Sequence, residues 1–119
     1  MQSHKDLLVW QKSISFAEDI YKLVRNFPVY EQFALSSQLR RASTSISMNI
    51  AEGFGRGTKN EILHFLSIAS GSASEVDTQI ILAYRFGYIT EEEAENIEVR
   101  IEEIRRMLSA LKKSIANKS

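Results

Sequence analysis

Residues 38–57 read Gln38-Leu39-Arg40-Arg41-Ala42-Ser43-Thr44-Ser45-Ile46-Ser47-Met48-Asn49-Ile50-Ala51-Glu52-Gly53-Phe54-Gly55-Arg56-Gly57. Leu35, Leu39, Ala42 and Ile46 recur at helical spacing, and Asn49 falls on the same seam. Arg41, Ser45, Met48 and Glu52 share the neighbouring face, because residues three and four apart stack on one side of a helix. The stretch is therefore a helix of small and apolar residues with charged groups set beside its packing seam, and its glycines end it. A polar or charged group buried there without a partner costs on the order of several kcal/mol. The segment thus speaks of architecture and assembly rather than of a reaction.

Working outward, the same periodicity fills the chain. Trp10, Ile14, Ala17, Tyr21 and Val24 form the expected main row of a first helix, with Phe16, Ile20, Leu23 and Phe27 as a second row beside it. Ile62, Leu66, Ala69, Ala73, Val76, Ile80 and Ala83 make the seam of a third helix, and Ile97, Ile101, Ile104, Leu108, Leu111 and Ile115 that of a fourth. A period of roughly 3.5 residues is that of coiled-coil-like packing. Pro28 should end the first helix, Gly53, Gly55 and Gly57 the second, and Gly87 the third, since proline cannot continue a helix and glycine takes the left-handed cap. Thr58 with Glu61 and Thr90 with Glu93 have capping-box spacing. Glu91, Glu92, Glu93 and Glu95 open the fourth helix and Lys112, Lys113 and Lys118 close it, which complements the macrodipole. The expectation is an all-α, antiparallel up-down-up-down four-helix bundle in one domain spanning residues 1–119, with helices near 6–27, 31–54, 59–86 and 91–116.

Composition narrows function by exclusion. Fifteen Lys+Arg balance fifteen Asp+Glu, which removes a globally basic surface as an argument for nucleic-acid binding. There is no cysteine, hence no disulfide framework and no thiolate metal site. No apolar run reaches transmembrane length and Met1–Asp6 lacks a signal-peptide core, so a cytoplasmic protein without membrane contact is expected.

With Leu8-Val9-Trp10-Gln11-Lys12, Phe27-Pro28, Gln38-Leu39-Arg40-Arg41-Ala42, Asn49-Ile50-Ala51-Glu52-Gly53, Phe65-Leu66-Ser67-Ile68-Ala69 and Gly87-Tyr88-Ile89 in this order and spacing, the chain resembles the bacterial four-helix-bundle proteins encoded in intervening sequences of 23S ribosomal RNA genes. The resemblance spans nearly the whole chain. It implies an antiparallel bundle that assembles into a ring, typically a homopentamer. The accessory protein of diversity-generating retroelements looks like a related bundle and partners a reverse transcriptase and nucleic acid. This chain departs from that relative in being neutral rather than strongly basic.

Several constellations are candidates for function. Glu75 shares a row of the third helix with Phe65, Ile68, Ser72, Gln79, Leu82 and Phe86. A carboxylate there invites an arginine, so Arg40 or Arg41 is expected to meet Glu75 or Glu52, in the same subunit or the next, with Asn49 in the same polar network; the alternative is that these charges point to water. Ser43, Ser47 and Ala51, and likewise Ser67, Gly71, Ser74 and Thr78, form small-residue strips that permit close helix approach within the bundle or between subunits. The turn carrying Arg56, Thr58 and Lys59 precedes a helix N-terminus; it is either a plain interhelical turn or a phosphate or RNA-backbone contact. No strand precedes it and the Gly-Lys-Ser/Thr ending is missing, which argues against nucleotide hydrolysis.

Glu61 and His64 have the Glu-x-x-His spacing of di-iron bundles, but a site needs two such motifs and the other histidine is His4; no metal and no cofactor are expected. No nucleophile-elbow or paired-carboxylate arrangement stands out. The apolar rows of the first and third helices exceed what a solitary bundle needs, which points to burial against another subunit or to a wide core. The expected function is a non-enzymatic, ring-forming binding or scaffold module that contacts RNA or a ribonucleoprotein partner; the alternative is a protein–protein adaptor without nucleic-acid contact.

Overall fold

The structure, a computed structural model, describes residues 3–118. Among them are four helices, α1 (Leu8–Val24), α2 (Leu35–Arg56), α3 (Lys59–Arg85) and α4 (Glu91–Ala116), with short 3-10 turns at His4–Asp6 and Val29–Glu31. Each helix packs on its neighbours in sequence and α4 returns to α1, while the backbones of the diagonal pairs stay more than 8 Å apart, Cα to Cα, among the described residues. The short connections reverse the chain each time, giving the antiparallel up-down-up-down bundle, 49 × 24 × 19 Å in extent.

The helix ends follow local chemistry. Thr90 and Glu93 form the reciprocal capping box at the start of α4. Thr58 accepts the Glu61 N–H at 3.2 Å, but the return arm is missing because the Glu61 carboxylate accepts the Thr58 hydroxyl at 2.7 Å instead. Gly57 at φ +84° and Gly87 at φ +83° supply the left-handed turns after α2 and α3. Gly53 and Gly55 do not end α2; both lie within it, and only Gly57 stops it. The reason at Gly53 is close packing, since a Cβ there would stand 3.0 Å from Phe65 Cβ and 3.3 Å from Ile62 Cα.

The first turn is longer than expected. α1 ends at Val24, and Asn26 and Phe27 N–H groups bond back to Leu23 and Val24 in a tightened turn before Pro28, because a residue preceding proline avoids the helical region. α2 begins at Leu35 rather than near residue 31, with Glu31 accepting the Leu35 N–H at 3.2 Å.

One core joins all four helices. The seams expected for α3 and α4 are buried as read, apart from half-buried Leu111. In α1 the second row supplies more of the core than the expected main row. Val9, Ser13, Phe16 and Ile20, with Phe27 just beyond the helix, enter the core; of the main row Ala17 and Val24 are buried, Trp10 is half-buried, and Ile14 and Tyr21 stay exposed. The small strips also part company: Ser43 and Ser47 are buried on α2, but Ser67, Gly71, Ser74 and Thr78 all lie on the outer face of α3. Close approach within the bundle is therefore excluded for the α3 strip.

Candidate assembly surfaces

The exposed part of the first α1 row lines an apolar concavity on the molecule's outside. Trp10, Ile14 and Tyr21 of α1 face Ser47, Met48 and Ala51 of α2 across a groove of about 590 Å³. His4 closes one end, its ring 5.3 Å from that of Trp10. Glu18, Lys22 and Arg25 stand along the rim. Met48, 65% exposed, rises beside the groove. The buried hydroxyl of Ser13 is satisfied by the Val9 carbonyl at 2.7 Å, so α1 needs no polar partner on its inner face.

A second, polar notch of about 400 Å³ lies between α2 and α3, lined by Gln38, Arg41 and Ser45 on one side and Ser72, Glu75 and Gln79 on the other. Ser72 donates to Ser45 Oγ at 2.9 Å, and the Asn49 amide donates to the Ser45 carbonyl and hydroxyl, both at 2.8 Å. This Ser72–Ser45–Asn49 link is the polar network that joins the two helices. The expected arginine–glutamate pairs are not formed within the subunit among the described residues. Arg40 instead donates to the Gln32 carbonyl at 3.0 Å, tying the start of α2 to the preceding loop. Arg41 donates to Ser37 Oγ at 3.2 Å, one turn back on its own helix. Glu52 pairs with Arg56 at 2.9 Å. Glu75 is exposed and without an ion pair among the described residues.

The turn after α2 is tied down by contacts within the chain. Arg56 bonds both Glu52 and Glu61 and lies 5.0 Å over the Phe65 ring. The hydrogen bonds to Glu52 and then Glu61 push the guanidinium further up from its ordinary value, so its charge is permanent but spoken for. Lys59 donates to the Lys118 carbonyl at 2.8 Å. Thr58 is engaged as the N-cap. All three residues expected to offer an anion contact thus have partners within the chain.

At the other end of the bundle Val29, Tyr30 and Phe33 are exposed, Phe33 at 90%. Tyr88 anchors this end: its hydroxyl donates to Glu31 at 2.6 Å and meets the Tyr30 hydroxyl at 3.1 Å. The carboxylate contact, aided by Tyr30, holds the Tyr88 phenol well above its ordinary range. Neither this end patch nor the α1–α2 groove was singled out from sequence. The groove's only advance signal was the surplus apolar row on α1, and the end patch sits in a loop that carries no periodicity.

Among the described residues, no group of three or more His, Asp or Glu side chains could hold a metal ion, and no helix is long and apolar enough to cross a membrane. The fold and these surfaces define a small all-α four-helix-bundle protein whose unusual features lie on its outer faces. The comparison with known proteins gives that class a family. The model of the 23S rRNA-intervening sequence protein family matches residues 5–110, and the chain belongs to that family. A crystal structure of a protein of unknown function from the S23 ribosomal protein family of Bacteroides thetaiotaomicron is similar, with 32% identity, a TM-score of 0.83, and coverage of 89% of this chain and 96% of that one. No curated protein matches the chain.

Proposed function

We propose that this chain is a non-enzymatic, homo-oligomeric helical-bundle module that closes into a ring, pentameric as the family resemblance implies, and serves as a cytoplasmic scaffold for RNA or a ribonucleoprotein partner. The observation that carries self-assembly is that two unlike surfaces are left uncovered on different helices. One is the α1–α2 groove with Ile14, Tyr21 and Met48. The other is the outer face of α3, where Ile68, Ile81 and Leu82 border the small-residue strip. Two different patches on one chain make a head-to-tail contact, and such contacts close into rings when the rotation permits. In this reading Arg40, Arg41, Asn49, Glu52 and Glu75 serve architecture and register rather than catalysis.

The nucleic-acid contact has weaker physical support than the assembly. Arg56, Thr58 and Lys59 are the residues proposed for it, yet Arg56 and Lys59 are engaged within the chain. That observation favours the second reading, a protein–protein adaptor with no nucleic-acid contact. Light scattering on the purified chain, followed by capture of the intact oligomer from its own cells and sequencing of bound RNA at two salt concentrations, separates the readings. A multimer that retains RNA, losing it as salt rises, supports the first; a multimer that enriches only protein supports the second; a 13.6 kDa species at all concentrations removes the ring.

A further inference from the structure

The polar notch between α2 and α3 contains an unpaired acceptor. Gln79 is only 8% exposed, and its Oε1 has no hydrogen-bond partner among the described residues. Buried amide groups in native proteins are nearly always paired, so a specific orphan calls for an explanation. Exchanging the amide's nitrogen and oxygen leaves an orphan donor in place of an orphan acceptor. One turn earlier on the same face stands Glu75, a carboxylate with no cation of its own. Arg41 lines the same notch but donates to Ser37 Oγ rather than to Glu75. Glu75 and Gln79 together form a pair of acceptors at helical i, i+4 spacing, which suits a planar group with several N–H donors.

The same chain carries a matching donor on another face. Arg25, exposed at the end of α1, has no hydrogen bond or ion pair among the described residues and stands on the rim of the apolar groove. The acceptor pair, in turn, lies in the row of α3 that includes exposed Ile68, Leu82 and Phe86. Each surface therefore has apolar residues beside charges without an ion pair among the described residues, Glu18 and Arg25 on the groove rim and Arg41 and Glu75 at the notch, so opposite charges can meet across a contact. Gly71 adds room, since nothing lies within 4 Å of where its Cβ would be, so a neighbouring helix can approach α3 closely.

We infer that the outer face of α3 in one copy seats in the α1–α2 groove of the next, with Arg25 of the groove entering the notch to pair with Glu75 and Gln79 of its neighbour. This rests on the self-assembly proposed above and names its contact. Burial within the contact would shield the pair from water, so breaking it by charge reversal should be far more damaging than at an exposed site. The pairing also sets orientation, because a groove and a ridge that are both apolar could otherwise slide along each other.

Charge exchange tests the contact. Arg25→Glu and Glu75→Arg, each made alone, should weaken assembly by about tenfold or more, read as the shift of the concentration at which mass falls in light scattering. Both changes in one chain should restore most of the mass, because every contact in a head-to-tail assembly then carries the reversed pair. Circular dichroism of each variant should remain that of the unsubstituted chain, since both residues are exposed. Gln79→Met supplies a second readout: it removes an unpaired buried acceptor, so the isolated subunit should melt at a higher temperature while assembly weakens. An unsubstituted chain that stays monomeric overturns the assembly reading itself. A chain that assembles but whose single reversals leave the mass unchanged, or whose double reversal fails to recover it, overturns this contact alone.

Discussion

At the scale of single residues, the glycines of α2 separate into different roles that composition does not distinguish. Sequence marks Gly53, Gly55 and Gly57 alike as helix enders, yet only Gly57 takes the left-handed conformation. Gly53 is inside the helix because α3 crosses so closely that its Cβ would meet Phe65 and the Ile62 backbone. Gly55 is also helical, but its Cβ would meet nothing within 4 Å. Gly53→Ala should accordingly destabilise the fold by about 1–3 kcal/mol, the usual range for overpacking against atoms that cannot retreat. Gly55→Ala should stabilise it by about 0.5–1 kcal/mol through helix propensity. Denaturant unfolding of the two variants beside the unsubstituted chain checks both signs, and a loss at both positions would contradict the assignment. The distinction was illegible in the sequence because it depends on which helix crosses where. Arg40 and Arg41 meet no glutamate within the subunit for a similar reason: each has a local acceptor, Gln32 for Arg40 and Ser37 for Arg41, that sequence spacing does not reveal.

At the scale of helices, legibility tracks how sharply each one divides apolar from charged positions. α4 alternates isoleucines and leucines with glutamates, arginines and lysines, so its buried face is unambiguous, and α3's alanine-rich seam is equally plain. α1 carries two apolar rows, and nothing in its own sequence says which one the core will take. The core took the Phe16–Ile20 row, and the consequence is a helix docked broadly on α2 but held to α4 by few contacts. Beside the shared apolar core, two ion pairs join them at the surface: Lys12 with Glu103 at 2.9 Å, and Arg100 with Asp19 at 2.8 Å. Arg100 also lies 5.3 Å over the Phe16 ring. Half-exposed ion pairs contribute about 0.2–1 kcal/mol each, and the ring contact about 0.5–1 kcal/mol. Arg100→Ala removes both of that residue's interactions and should reduce stability by about 1–2 kcal/mol. Hydrogen exchange should show the loss concentrated in α1 amides, with α3 less affected; equal acceleration in both helices would mean that α1 does not open separately.

At the scale of the whole molecule, the decisive question is whether exposed apolar side chains are ordinary surface or an uncovered contact. A lone exposed methionine needs no explanation, because much of any protein surface is apolar. Met48 is not placed like a lone residue. It sits on the outward arc of α2, lining the apolar groove on the α1 side while Ser45, one turn earlier, lines the polar notch on the α3 side. The fold itself makes little use of it at 65% exposure, so Met48→Glu should leave the circular dichroism and the melting temperature of the separated subunit nearly unchanged. If this face is covered in an assembly, the same change places an unpaired carboxylate in a desolvated contact, where such a group is strongly unfavourable. The expected result is a shift from multimer to the 13.6 kDa chain at concentrations where the unsubstituted protein stays assembled. Phe33→Ser serves as the matching control, because Phe33 is more exposed still but lies at the bundle end, away from groove and notch. Loss of mass with Met48→Glu and not with Phe33→Ser locates the contact on the long faces of the bundle. The reverse pattern locates it at the end, and would move the assembly surface from the helices to the loop between α1 and α2.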